Sequence, residues 1–167
     1  MIFVTSGSML PFDRLFRIVD QAVAGRVFAQ AGFDGPVFAQ IGDSTYEPKH
    51  CEFSRFIDKD DFDRRVAASS LIIGHAGIGV ITAALEHKVP LLVLARRAAF
   101  GEHVNDHQVS TAVEFERLGH LMSFEEETLA QKLQCVRHFV PKPRVPNAGE
   151  VGARIGIFLN GLAQARR

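Results

Sequence analysis

Apolar residues in this chain fall into short runs that alternate with stretches of helical spacing. The opening MIFVTSGS is an apolar run closing on a Ser/Gly cluster, which predicts a buried strand with a tight loop at its carboxyl end. From Pro11 to Ala24 the period changes: Phe12, Leu15, Phe16, Val19 and Val23 recur as on one face of a helix, with Pro11 suited to its first turn. A second strand is predicted over Pro36–Gly42, then a polar loop through Tyr46 and Pro48, and a short strand in CEFSRFI. DKDDFDRRVAAS reads as a helix with acids near its start and arginines later, the order its dipole favours. Leu71 to Ile73 form the next strand, glycines make the turn, and Val80 to His87 continue as a helix that stops before Pro90. LLVLA, a helix from about Asn105 to Leu118, the strand HLMSF and a further helix complete the series. Repeated β-α units imply an α/β domain: a parallel sheet with helices on both faces and ligands at the carboxyl ends of the strands.

The tetrapeptide VFAQ occurs at Val27 and again at Val37, too isolated an echo to define a repeat array. Residues 141–148, PKPRVPNA, break helical continuity. Beyond them Val151, Ile155, Phe158, Leu159 and Leu162 predict a C-terminal helix, packed on the domain or on a partner. The expected division is therefore a domain over 1–140, followed by a link and helix over 141–167.

Length and charge narrow the reading. The 167 residues suit one domain, and nineteen basic residues balance nineteen acidic ones, so bulk charge offers nothing to nucleic acid or anionic lipid. Two cysteines and no secretory leader suggest thiols in a cytoplasmic setting. No apolar run reaches the roughly 20 residues that cross a bilayer, so membrane attachment would come from a partner.

Three loops after strands carry the candidate chemistry: Thr5 to Ser8, Gly74 to Gly79, and Arg97 to Gln108. Gly77 and Gly79 allow close approach of a ligand, and the helix that follows offers unpaired N–H groups to a diphosphate, with His75 placed to donate to a phosphate oxygen. Neither the Walker pattern nor a full G-x-G-x-x-G is present. In GEHVNDHQ, His103 and His107 stand four apart, a spacing that allows a metal with Glu102 or Asp106 as a further ligand. The segment straddles a helix start and lacks the H-E-x-x-H order, so directed hydrogen bonds from Glu102, Asp106, His107 and Gln108 to sugar hydroxyls are the preferred reading. Ser6 and Ser8 lack the G-x-S-x-G elbow of a hydrolase nucleophile. The run Asp58, Asp60, Asp61, Asp63 reads as a solvated helix start.

MIFVTSGSMLPFDRL, FAQIGDSTYEP, IIGHAGIGVITAAL, VPLLVLARR and GEHVNDHQVSTA together, covering most of residues 1–140, resemble the small PssE-like glycosyltransferase subunits of bacterial exopolysaccharide synthesis. Those subunits are similar to the C-terminal, donor-binding half of MurG-type enzymes in glycosyltransferase family 28 and to the catalytic subunit of the Alg-type N-acetylglucosaminyltransferase. The resemblance implies a single Rossmann-like domain, one half of a GT-B fold. It implies an inverting, two-component transferase that moves a hexosyl or uronosyl group from a UDP-sugar to a lipid-diphosphate-linked saccharide, with no cofactor or metal. A membrane-associated, PssD-like subunit would supply the acceptor site and hold the chain at the inner face of the membrane. By position, Gly7 and Ser8 would face the cleft between donor and acceptor, His75, Gly77 and Gly79 would lie against the diphosphate, and His107 and Gln108 would meet the sugar. The acceptor's base would be His75, His107 or a residue of the partner. Two positions depart from the pattern: Val80 stands where relatives carry a hydroxyl, and Ala83 where many carry a glutamate, with Glu86 one turn later. A rival reading follows from them, a non-catalytic accessory that activates or stabilises a membrane-bound transferase.

Overall fold

The computed structural model describes residues 1–143. The expected C-terminal helix and most of the expected link before it lie outside the described residues. Six parallel strands form one sheet: β1 (Ile2–Thr5), β2 (Val37–Gln40), β3 (Glu52–Ser54), β4 (Leu71–Gly74), β5 (Leu91–Val93) and β6 (Met122–Ser123), in the order β3-β2-β1-β4-β5-β6. The helices are α1 (Asp13–Ala24), α2 (Val27–Gln30), α3 (Lys59–Ala67), α4 (Ile78–Glu86), α5 (His107–Arg117) and α6 (Leu129–Val136).

Strands buried on both faces explain why the apolar runs are continuous rather than alternating. Ile2, Val4, Ile73 and Leu92 point to one face, under α1, α2 and α6, where they meet Leu15, Phe16, Phe28 and Leu133. Phe3, Ile72, Leu91 and Val93 point to the other, against Val66 of α3, Ile81 and Leu85 of α4, and Ala112 of α5. The expected three layers are thus present. None of the helices among the described residues is long and apolar enough to cross a membrane.

Boundaries differ where side chains intervene. Pro11 stays outside α1 because Phe12, non-helical at φ −144° and ψ 55° and fully buried, gives its N–H to Ser44 Oγ at 2.8 Å, and the helix starts only at Asp13. Helix α4 begins two residues earlier than the sequence spacing suggests, and α5 two residues later. The helix α2 was not anticipated: four residues are too few to show a period.

The Tyr46–His50 loop is pinned by one buried carboxylate. Asp20, 2% exposed, accepts from Tyr46 Oη at 2.7 Å, Lys49 N at 3.0 Å and His50 N at 2.7 Å. Burial opposes its ionisation, but these hydrogen bonds outweigh it and hold the carboxyl below the ordinary aspartate range. Asp20→Ala is expected to cost about 2–3 kcal/mol at neutral pH, read by urea unfolding. Because the folded-state pKa is depressed, this stabilisation is complete above the unfolded-state value and fades as pH falls through the folded one. The gap between wild type and Asp20→Asn should therefore narrow toward pH 3; a gap independent of pH would exclude the charged form as its source.

Candidate functional site at the carboxyl edge of the sheet

The register brings the loops to one level. Thr5 pairs with Gln40 and with Gly74, and Gly74 pairs with Val93, so the segments after β1, β2, β4 and β5 leave the sheet side by side. The strand order reverses between β1 and β4, the point at which open α/β sheets form a ligand crevice. A cleft of about 860 Å³ lies there, walled by these loops on one side and by α3 and α4 on the other.

Of the residues singled out from the sequence, Gly7, Ser8, His75, Gly79 and Gln108 line this cleft. The backbone at Gly7 turns with φ +74°, and its N–H is held by Thr5 Oγ1 at 3.0 Å, which in turn donates to Gln40 Oε1 at 2.9 Å. The His75 ring lies between two glycines: a Cβ on Gly7 would stand 2.8 Å from its Cε1, and one on Gly77 would stand 2.1 Å from its Nε2. Gly77 thus makes room for an imidazole, a role different from the direct approach to a ligand expected of it. Burial, reinforced by repulsion from Arg96, lowers the His75 pKa to about 4, so the ring is neutral at physiological pH. Helix α4 starts at this ring. Its cap, Gly77, has no side chain to occupy the first-turn N–H groups, which remain available to an anion.

The second loop is less uniform than its sequence suggests. Glu102, 8% exposed, accepts from Arg14 Nε at 2.7 Å and Nη2 at 2.8 Å with its two oxygens, and also from Arg97 N at 3.0 Å. Expected to meet a sugar, it instead braces the loop. Asp106 accepts from Ala98 N at 2.8 Å just ahead of α5, and His107 is exposed with Nδ1 hydrogen-bonded to Asn105 Oδ1; neither lines the cleft. Gln108, 3% exposed, does line it, while its Oε1 accepts from Arg96 N at 3.2 Å. The segment places one amide in the site and uses its acids to hold shape. His103 and His107 meet edge to face at 4.4 Å between centroids, but among the described residues no three His, Cys, Asp or Glu side chains gather as a metal would need.

Val80 is buried in the core as well as touching the cleft, which accounts for an apolar residue there; Thr82, Ala83 and Glu86 follow along the same helix wall. Arg96 and His103, assigned to no donor role from the sequence, also line the cleft. The basic pair after β5 was visible, but a charge in a loop ordinarily reads as solvated, and only the fold shows Arg96 to be 3% exposed.

Residues 1–150 match the glycosyltransferase family 28 C-terminal domain. The chain belongs to this family. Solved structures share the fold of this family 28 domain. ALG13, determined by NMR, gives a TM-score of 0.60 at 21% identity, over 89% of this chain and 91% of that one. The kitacinnamycin glycosyltransferase gives 0.55 at 16% identity, over 81% of this chain and 33% of its own. MurG of Acinetobacter baumannii gives 0.50 at 17% identity, over 83% and 42%. The family 28 domain described here therefore spans a third to two fifths of those two proteins and nearly all of ALG13. No curated protein matches the chain significantly in sequence.

Proposed function

We propose that this family 28 domain is the donor-binding subunit of a two-component inverting glycosyltransferase of the PssE-like kind. It would hold a UDP-sugar while a membrane-associated subunit presents a lipid-diphosphate-linked saccharide in exopolysaccharide synthesis. The observation that carries the reading is the cleft at the β1/β4 crossover, where a glycine-flanked imidazole adjoins a helix N-terminus left open to an anion.

In the proposed reaction the acceptor hydroxyl attacks the anomeric carbon, the bond from that carbon to the diphosphate oxygen breaks, and the hydroxyl proton passes to a base. The leaving diphosphate gains charge, and the α4 amides and a neutral His75 N–H would stabilise it. With its pKa lowered to about 4, His75 is a poor proton acceptor and suits the role of donor to the leaving group. His107 faces solvent outside the cleft, so the base is assigned to the partner subunit. The accessory alternative draws support from Val80 and Ala83, which offer neither hydroxyl nor carboxylate to a donor.

Calorimetric titration of the purified chain with UDP and a panel of UDP-sugars, without and with divalent metal, separates the two. Metal-independent binding selective for one UDP-sugar is expected. No binding by the chain or by its complex with the partner would overturn the donor-binding reading in favour of the accessory. Gln108→Ala should reduce the preference for UDP-sugar over UDP by about fivefold, the loss of one hydrogen bond; an equal loss for both ligands would move Gln108 out of the sugar subsite.

A further inference from the structure

Two glutamines of the cleft are buried, and each has its carbonyl end held by the protein. Gln40, 6% exposed, ends β2, and Gln108, 3% exposed, belongs to the first turn of α5. Thr5 Oγ1 accepts from Gly7 N at 3.0 Å and gives its own proton to Gln40 Oε1 at 2.9 Å. Thr5 is fully buried, so turning the Gln40 amide over would leave that proton without an acceptor. Arg96 N fixes Gln108 Oε1 likewise, at 3.2 Å. Neither Nε2 bonds to a described residue, and neither is sealed off as Nδ1 of His75 and Nε of Arg96 are. Each side chain therefore presents an NH2 group, a donor only, to the cleft.

The sheet sets these two amides apart. Gln40, Thr5, Gly74 and Val93 lie opposite one another in successive strands, which puts Gln40 about 10 Å from Gly74 and about 14 Å from Val93. Gln108 is bonded to Arg96, three residues beyond Val93, and lies on that far flank. One group of a ligand cannot reach both amides. The β2 side of the cleft is also the apolar side, with Ile57 ahead of α3 and Phe62 within it, the latter packed edge to face on Phe3 of β1.

We propose that Gln40 reads the nucleobase of the donor, its Nε2 donating to a keto oxygen on the edge of a pyrimidine remote from the ribose. The assignment rests on the donor-binding reading, in which the diphosphate meets α4 and the sugar meets Gln108, so that the nucleoside falls to the β2 side. The distance of about 10 Å between Gly74 and Gln40 leaves room for a ribose between the diphosphate and this amide. Uracil offers an oxygen at its far edge, whereas cytosine, equal in size, offers an amino group whose protons would face those of Nε2. An unrestrained glutamine would turn its amide over to suit either base. The bond from Thr5 prevents this.

UDP and CDP are titrated calorimetrically into wild type, Gln40→Glu and Gln40→Met, with thermal unfolding of each. Wild type should bind UDP about 30-fold more tightly than CDP, the difference between a hydrogen bond made and two donors opposed. Gln40→Glu keeps an oxygen for Thr5 and puts an acceptor where the NH2 stood, so it should bind CDP at least as tightly as UDP. A merely structural Gln40 would instead weaken both ligands equally. Gln40→Met has no donor and should leave a preference below about threefold. If neither variant folds, wild type still decides: the Gln40 side-chain amide protons, followed by NMR, should move downfield with UDP and not with CDP. Equal affinity of wild type for UDP and CDP, or an unchanged preference in Gln40→Glu, would overturn the inference, while UDP-sugar binding would keep the donor-binding reading. Base selection that follows Gln40 in a chain and complex that refuse every UDP-sugar would sustain the inference and sink that reading. No binding of UDP by the chain or by its complex would overturn both.

Discussion

Replacing Glu102 by alanine is expected to destabilise the domain by about 3 kcal/mol, because it strands a largely buried guanidinium and an amide. For a domain of this size the melting temperature should fall by roughly 6–12 °C. The Arg14 and Glu102 side chains are 19% and 9% exposed, so water compensates little for the lost partner. Arg14 also donates to Ala95 O at 2.9 Å and lies over Phe100 at 4.8 Å, so one ion pair ties α1 to the whole segment from Ala95 to Glu102. UDP-sugar and UDP affinity should fall together, since Arg96 and Gln108 flank the braced loop. Thermal unfolding and calorimetry on Glu102→Ala check both expectations. An unchanged melting temperature with a selective loss of sugar discrimination would restore Glu102 to the sugar subsite that the resemblance implies for this loop.

The second large effect is expected at Gly77. Its φ of −88° is open to any residue, so Gly77→Ala introduces no backbone strain and acts through its methyl alone. That methyl would stand 2.1 Å from His75 Nε2 and 2.7 Å from Cδ2, and the ring must leave its slot. Stability should change by less than about 1 kcal/mol, while UDP affinity falls at least tenfold, about 1.4 kcal/mol. On the proposed donor-binding reading, the displaced ring would both withdraw an N–H from the diphosphate and take up room in the cleft. The double variant with His75→Ala separates these contributions: with no ring to displace, adding the methyl should cost little further affinity. UDP binding that Gly77→Ala leaves intact would mean that the slot has no part in holding the donor.

How much of this was legible beforehand depends on whether a feature is local. The β-α alternation, the acids opening α3 and the glycines after β4 are written in neighbouring residues, and the three-layer fold followed from them. His75 was likewise singled out by its place between a strand end and a helix start. The function of its surroundings was not, because the glycines proved to shape a slot for the ring, a relation between Gly7 and Gly77 across two strands. GEHVNDHQ shows the same limit: nothing in its crowd of polar residues reveals that a distant partner, Arg14, is bonded to Glu102. Arg96 is the reverse case, a charge that looks solvated until the loop after β1 folds over it.

The two copies of VFAQ mark the division most sharply. Val27–Gln30 forms α2, whereas Val37–Gln40 forms β2. Identical residues carry identical intrinsic propensities, so the difference comes from what surrounds them. The first copy continues from α1 through Arg26 at φ +55° and buries chiefly Phe28 under the sheet. The second follows Gly35-Pro36 and finds β1 alongside, with Val37 opposite Ile2 and Gln40 opposite Thr5. The sequence by itself determined the succession of strands and helices and the loops that carry glycine, because hydrophobic period and turn chemistry act over a few residues. Only the tertiary structure decided which polar side chains face the cleft and which are bound within the protein, because hydrogen-bond partners and burial depend on residues far apart in the chain.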